Sequence, residues 1–436
     1  PGMVIATPIG RIGLYACMDG VINETPRCLA LDGAQMIVNS LNSFATDEGS
    51  LHVPVRAGEN KVFVVAANKI GPLVPEALVE PISSATGIPP KFLDGAGKSQ
   101  VVAPDGTVLA KAPRDQEAVV FADIDLSQAD NKDRPDGTDV FECRRPELYQ
   151  AIGQNPETQI LPDMEGAASV RGAVAQLQNP TALDEAVNKA RQVISEGAQL
   201  VVIPPLLGEG KLASIEDPRL AALTSADTIA ALQEVCGDAY LATAAVLPCA
   251  DGYQYCSVII GRDGLVLSQP QIHRSERYRW SQRCSEIVTV KLPFGRVAAV
   301  CSDDSFYPEY FRLLALAGVS VATVPLAPLE KWELQTGLLE RSAENRINLL
   351  VAAQPSSLGT SFSTALQSDF TVMTEWQERP FDGLLSQPIC NRSDPVPGVY
   401  HSTLYPANAA NKMVSLNTDL LTNRPWELAQ AITRQS

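Results

Sequence analysis

Nine cysteines, three histidines and an excess of carboxylates are the chemically capable side chains of this 436-residue chain. A thiol acts as a nucleophile in its thiolate form, which needs a nearby base or cation at neutral pH. The cysteines form no CxxC pair, so no structural zinc is expected and a reducing, cytoplasmic setting is. His52, His273 and His401 lie far apart, which argues against a histidine-based metal centre. Cys17 stands out by position. It ends an apolar run, Ile12–Ala16, and precedes Met18-Asp19 and a helix start near Glu24. A nucleophile at a strand-to-helix turn is exposed at a sheet edge, beside backbone N–H groups that can hold an oxyanion. On local sequence alone, Cys17 also reads as a small apolar strand residue.

The elements that would position Cys17 occur twice. Residues 8–17 read PIGRIGLYAC and residues 293–302 read PFGRVAAVCS. The same offset (302 − 17 = 285) carries Asp19 to Asp304, Glu24 to Glu309, Arg27 to Arg312 and Gly33 to Gly318. RAGEN (56–60) and RSAEN (341–345) then agree without a gap. This predicts two copies of one domain. The second copy begins near Ala168, well before its Gly295, whereas the first has almost nothing before Gly10. The expected division is therefore 1–152, the C-terminal half of a domain; 153–167, a polar linker with Pro and Gly; and 168–436, a complete domain. NRPWELAQAI at 423–432 echoes RRPELYQAI at 144–152 and closes each copy.

Apolar, β-branched runs at 12–15, 36–38, 62–67, 201–203, 258–260, 297–300 and 319–324 predict short buried strands. Helical patterns lie between them at 26–31, 183–195, 226–235, 310–317 and 332–345. This alternation predicts an α/β layered fold. Asp-Gly at 105–106 and 263–264 joins apolar runs in the manner of hairpins, so each sheet should be mixed.

GRIGLYACMD, then Glu24 and Arg27, then RAGEN, VFVVAAN and FLDGAGKSQVVAPDGTVLA together resemble the C-terminal half of a nitrilase-superfamily (carbon–nitrogen hydrolase) domain. The second copy resembles a whole one, from VRGAVAQL through QLVVIPPL and GRDGLVLSQPQIH to PFGRVAAVCSDD. The resemblance implies an αββα sandwich, with the two copies forming a pseudo-dimeric four-layer αββα–αββα unit. It also implies a Glu–Lys–Cys triad, with no metal or organic cofactor. The thiolate attacks a nitrile, amide or carbamoyl carbon; Glu is the general base and Lys stabilises the tetrahedral intermediate. Cys17 takes the nucleophile position, and Cys17-Met18-Asp19 favours amide or carbamoyl substrates over nitriles. The Glu and Lys are expected from outside this sequence, either from a polypeptide that supplies the N-terminal half of the first domain or from a longer form of the same chain.

In the second copy the triad positions depart from the pattern. Pro204-Pro205 stands where the family has Pro-Glu, and Gln271 stands before His273 where it has Lys. Cys17 maps to Ser302, which leaves Cys301 one residue out of register and on the opposite strand face. Cys301 is thus expected in the core of a catalytically inactive domain. Glu59 and Glu344 are expected to bond local backbone, and Asp19 and Asp304 to tie down the following turns. Ser40, Leu41, Asn42 and Phe44 are the substrate-pocket candidates. The Pro-rich stretch 71–90 reads as a long loop, a lid or an interface.

A net charge of −16 disfavours nucleic acid and anionic membranes as partners. With 45 % hydrophobic residues the chain is no disordered segment, and it has no run of 18 apolar residues. Residues 1–4 have neither the basic start nor the apolar stretch of a signal peptide. A homo- or hetero-oligomer acting on a small molecule is expected. The competing readings are a non-catalytic scaffold and an amidotransferase-type arrangement, and no synthetase signature supports the latter.

Overall fold

A computed structural model of the chain describes residues 4–179, 182–206 and 215–434. Residues 1–3, part of the start read above for signal character, lie outside them. The first repeat builds one six-stranded sheet in chain order: β1 (Val4–Thr7), β2 (Gly10–Ala16), β3 (Met36–Leu41), β4 (Phe63–Asn68), β5 (Gln100–Val102) and β6 (Val108–Lys111). Helix α1 (Glu24–Leu31) joins β2 to β3, and α2 (Val53–Asn60) joins β3 to β4, so those three strands run parallel. The Asp105-Gly106 turn closes an antiparallel β5–β6 pair. Helix α3 (Glu76–Thr86) occupies the stretch expected to be a loop. Pro75 stands at its N-cap and Pro81 inside it, and none of its residues is buried. An exposed helix carries no apolar periodicity, which is why composition pointed to a loop.

The second repeat opens with β7 (Val170–Gln176), α4 (Leu183–Ser195), β8 (Leu200–Val202), α5 (Pro218–Cys236), β9 (Tyr240–Cys249), β10 (Gly252–Gly261) and β11 (Gly264–Pro270). It continues with β12 (Val290–Leu292), β13 (Gly295–Ala299), α6 (Pro308–Leu316), β14 (Val321–Leu326), α7 (Leu338–Asn345), β15 (Asn348–Ala353), β16 (Phe362–Ala365), β17 (Ile389–Arg392) and β18 (Gly398–Leu404). These form two sheets, ordered β11-β10-β9-β8-β7-β18 and β12-β13-β14-β15-β16-β17. They pack face to face through Val170, Val174, Leu200, Val202 and Ile259 against Val297, Ala299, Val321, Leu350 and Ala352. Helices α4 and α5 cover one outer face and α6 and α7 the other, an αββα sandwich.

The repeat register holds in three dimensions. Ile12 pairs with Met36 and Met36 with Phe63; Val297 pairs with Val321 and Val321 with Asn348. Each partner is displaced by 285. The two repeats differ in what covers the second face of this sheet. In the second repeat Val297, Ala299, Leu350 and Ala352 are each 0 % exposed beneath the other sheet. Their counterparts Ile12, Leu14, Val65 and Ala67 are half-buried or exposed, Leu14 at 49 %. This chain therefore forms αββα plus one α layer and one sheet of the expected αββα–αββα unit.

Helices α1 and α2 meet α6 and α7 through buried charges related by a pseudo-two-fold axis. Arg27 donates to Glu309 at 2.8 and 3.0 Å, and Arg312 donates to Glu24 at 2.6 and 3.3 Å. Arg56 donates to Glu344 at 2.9 Å, and Arg341 to Glu59 at 2.6 Å. Glu59 and Glu344 are thus partners of arginines across the repeats, where local backbone bonding was expected. Both lie in helix interiors whose N–H groups are already paired, which leaves the carboxylates to find cations. The closing segments follow the same symmetry. Lys132 Nζ donates to Lys61 O at 2.9 Å, and Lys412 Nζ to Arg346 O at 2.9 Å.

One asymmetric feature crosses the interface. His52 Nδ1 lies 2.8 Å from Glu340 Oε2, and Arg56 Nη2 donates to Glu340 Oε1 at 2.5 Å. The corresponding positions of the other repeat hold Gly337 and Val55. Among the described residues no helix is long and apolar enough to cross a membrane.

Candidate active site

Strand β2 delivers Cys17 to the carboxyl end of the parallel strands, where open α/β sheets bind ligands. Cys17 has φ +49°, in the left-handed region that non-glycine residues seldom adopt. Strain of this kind persists where the surroundings impose it and concentrates at functional positions. Here the Cys17 N–H donates to Asn39 Oδ1 at 3.2 Å, and Asp19 Oδ2 accepts from the Ala16 N–H at 3.2 Å. Asp19 thus ties down the turn. Asp304 instead accepts the backbone N–H groups of Ile272 and His273 and lies 2.8 Å from His273 Nδ1.

Cys17 is half-buried. Burial pushes its thiol upward, and the charges of Glu48 and Asp19 add to this, while the backbone N–H groups of Asn42 and Met18 pull it back. The two groups flank the sulfur, one in the turn after β2 and one just past the end of β3. Beside it, Ala16, Ser40 and Ala67 sit side by side in register, a floor of small side chains. Ser40 and Asn42 are exposed, and Phe44 is half-buried. Leu41 departs from its expected place: at 7 % exposure it points to the helix side of the sheet and packs with Ile37, Val53 and Val64. Strand alternation sends neighbouring side chains to opposite faces, so Ser40 and Leu41 cannot both line one pocket. A cavity of about 790 Å³ lies round the turn, lined by Leu14, Tyr15, Asp19 and Thr25 and by residues 424–428; Cys17 is not in its wall.

Glu48 was not singled out by sequence. It is 2 % exposed, its Oε2 has no hydrogen-bond partner among the described residues, and burial pushes its carboxyl up to about 7. The counterpart Glu333 accepts the Leu329 and Glu330 N–H groups at 3.0 and 2.7 Å. In the first repeat the Ala45 N–H instead bonds Ser43 Oγ at 3.0 Å. This local swap frees Glu48.

The matching position of the second repeat is filled. Ser302 has ordinary helical backbone angles and is 1 % exposed. Arg277 Nη2 donates to Ser302 Oγ at 3.1 Å and to Asp303 at 2.6 Å. Arg134, from the end of the first repeat, donates to the other side of the cluster: Asp303 at 2.8 Å and Glu333 at 3.1 Å. Cys301 is 1 % exposed, with Sγ 3.3 Å from Gln269 O, and burial drives its thiol well up. Gln271 donates to His273 O at 2.8 Å, and Pro204 O accepts from Thr243 Oγ1 at 3.2 Å. Where the first repeat has Met18, the second has Asp303. That substitution is the sequence signal for the ion cluster.

Residues 2–133 match the family model described as carbon-nitrogen hydrolase. The chain is 34 % identical over 139 residues to a nitrilase of Pyrococcus abyssi, covering 32 % of this chain and 46 % of that protein. It is 30 % identical over 158 residues to the N-carbamoylputrescine amidase of Arabidopsis thaliana, covering 34 % and 49 %. An amidase structure from Nesterenkonia sp. superposes with a TM-score of 0.44 at 18 % identity, covering 62 % of this chain and 98 % of that one. The chain spans about half the length of the curated relatives it matches.

Proposed function

Because residues 2–133 match the carbon-nitrogen hydrolase family model, we propose that the intact protein hydrolyses a non-peptide C–N bond, in an amide or carbamoyl compound, with Cys17 as nucleophile. Residues 1–152 act as the C-terminal half of the catalytic domain, and residues 168–436, joined through 153–167, as an inactive domain that holds it. Cys17 Sγ attacks the carbonyl carbon. The amine or ammonia leaves with a proton, and water then releases the acid from the thioester. The Met18 and Asn42 N–H groups favour the thiolate form of Cys17. The base and the cation come from residues outside this sequence that cover the open face of the β1–β6 sheet. A neighbouring ammonium there lowers the thiol that burial raises. The reaction needs no metal or organic cofactor, and a reducing, cytoplasmic setting keeps the thiol free.

The observation that carries this reading is the contrast at one position: a strained, accessible Cys17 against a helical Ser302 bonded by Arg277. The test is substitution in the intact protein. Cys17→Ala should abolish amide hydrolysis with assembly retained. Cys301→Ala should cost on the order of 1 kcal/mol of stability, for one small buried group, and leave turnover near normal. Turnover surviving Cys17→Ala would put the nucleophile elsewhere, and an intact, assembled protein without turnover would instead favour a scaffold role for both repeats.

A further inference from the structure

Each repeat carries an excursion that the other lacks. Between β16 and β17 the second repeat runs through residues 366–388, where the first has only the Asp105-Gly106 hairpin. Between β4 and β5 the first repeat runs through 69–99, including α3, where the second passes directly through 354–361. The two excursions meet over residues 44–47, just beyond the Asn42 N–H that reaches Cys17. Phe381 of the second repeat sits 5.8 Å from the Phe44 ring, 5.1 Å from Phe92 and 4.9 Å from Trp376. Ile88, Leu93, Val79, Ile82 and Leu385 complete this apolar cluster.

Asp47 anchors the contact. It is 0 % exposed, and its Oδ2 accepts the N–H groups of Leu385, Ser386 and Gln387 at 3.1, 2.8 and 3.1 Å and the Ser386 hydroxyl at 3.1 Å. Thr46 N donates to Gly383 O at 2.8 Å. Ser386 Oγ in turn lies 2.8 Å from His52 Nε2. A buried carboxylate receiving several charge-assisted hydrogen bonds holds a fixed geometry. The next residue is Glu48, whose charge acts on the Cys17 thiol.

We propose that residues 366–388 of the inactive repeat form a wall of the Cys17 site and select the acyl group of the substrate, with Asp47 as the positioning residue. This rests on Cys17 being the nucleophile. Phe44, half-buried, presents its ring to the acyl chain, with Phe381, 7 % exposed, packed behind it, and Asp47 holds both in place together with the turn that carries Glu48. The substrate class that fits is an amide with a short apolar acyl chain, because the wall is aromatic and the floor is Ala16, Ser40 and Ala67.

The experiment measures kcat and KM of the intact protein on a series of straight-chain amides, from acetamide to hexanamide, for Asp47→Ala, Asp47→Asn and Phe381→Ala. Asp47→Ala should raise KM on the order of 10-fold, with kcat changed less than about threefold, since it loosens binding and leaves the nucleophile in place. Phe381→Ala should move the preferred amide to a longer chain. Asp47→Asn should restore most of the wild-type KM, because an amide oxygen still accepts the 385–387 N–H groups. If Asp47→Ala does not fold, Phe381→Leu tests the same wall with its volume largely kept. Unchanged KM and chain-length preference in Phe381→Ala and Asp47→Ala, with Cys17→Ala inactive, would overturn the wall alone. An active Cys17→Ala would overturn the reading beneath it.

Discussion

Arg312→Met should destabilise this protein more than Arg27→Met, although the two arginines are symmetry mates. Both side chains and both partner carboxylates are 0 % exposed. Glu309 is shared: besides Arg27 it accepts from Arg144 Nε at 3.2 Å. Burial opposes its charge, yet the two guanidiniums hold its carboxyl down at about 2. Glu24 has Arg312 only among the described residues, because Arg424, the counterpart of Arg144, donates to the carbonyls of Ile152, Ala151 and Gln154. Arg312→Met therefore strands a carboxylate in the interface, a loss of about 3–5 kcal/mol. Arg27→Met leaves Glu309 paired and loses charge-assisted hydrogen bonds, about 1.5–3 kcal/mol. At a urea slope of about 3 kcal/mol/M, the first lowers the unfolding midpoint by roughly 1–1.7 M and the second by roughly half that. Arg312→Met combined with Glu24→Leu should recover most of the loss, since an apolar pair can replace a buried ion pair at little cost. Equal midpoints for the two single variants, or no recovery in the double, would refute the assignment of Glu24 as a carboxylate with a single partner.

Burial opposes the charged His52 ring, but Glu340 and Asp47 beside it raise its pKa to about 9. Its stabilising contribution is full below pH 6.5 and is lost as pH rises through about 9, so unfolding free energy should fall across that window and flatten in His52→Gln. Leu14→Glu, on the uncovered sheet face, should change the stability of this chain by less than about 0.5 kcal/mol, whereas Ala299→Glu at the covered counterpart should prevent folding; co-purification should show that Leu14→Glu blocks association with a polypeptide that covers that face. Arg277→Met, which removes one of the two arginines on Asp303, should lower the melting temperature without restoring turnover to Cys17→Ala.

The repeat made much of the fold legible. A strand core with helices between parallel neighbours follows from alternation and from β-branched runs, and a gap-free register transfers from one copy to the other. Residues whose role depends on the partner repeat were not legible. Glu59 and Glu344 look alike in sequence whether they bond backbone or a distant arginine, because the arginine arrives only on assembly. Strand alternation across β3 separates Leu41 from Ser40, although the two adjoin in sequence. Glu48 gave no signal of its own: the difference from Glu333 lies in which acceptor the Ala45 N–H takes. Helix α3 was hidden by its prolines and its solvent-facing residues.

The reciprocal arginines have a consequence for refolding. Arg27–Glu309 and Arg312–Glu24 are one pair made twice, so a first repeat meets any second repeat with the same charges, whichever polypeptide carries it. The connecting segment 153–167 is all that favours the chain's own copy, by holding it at a high local concentration. When free chains approach that concentration, arms from two molecules exchange and every buried pair is still satisfied. Dilute refolding should then give self-paired chains and concentrated refolding exchanged ones, separable by size-exclusion chromatography. The two products have identical interfaces, and they interconvert only as fast as the charged helix faces separate.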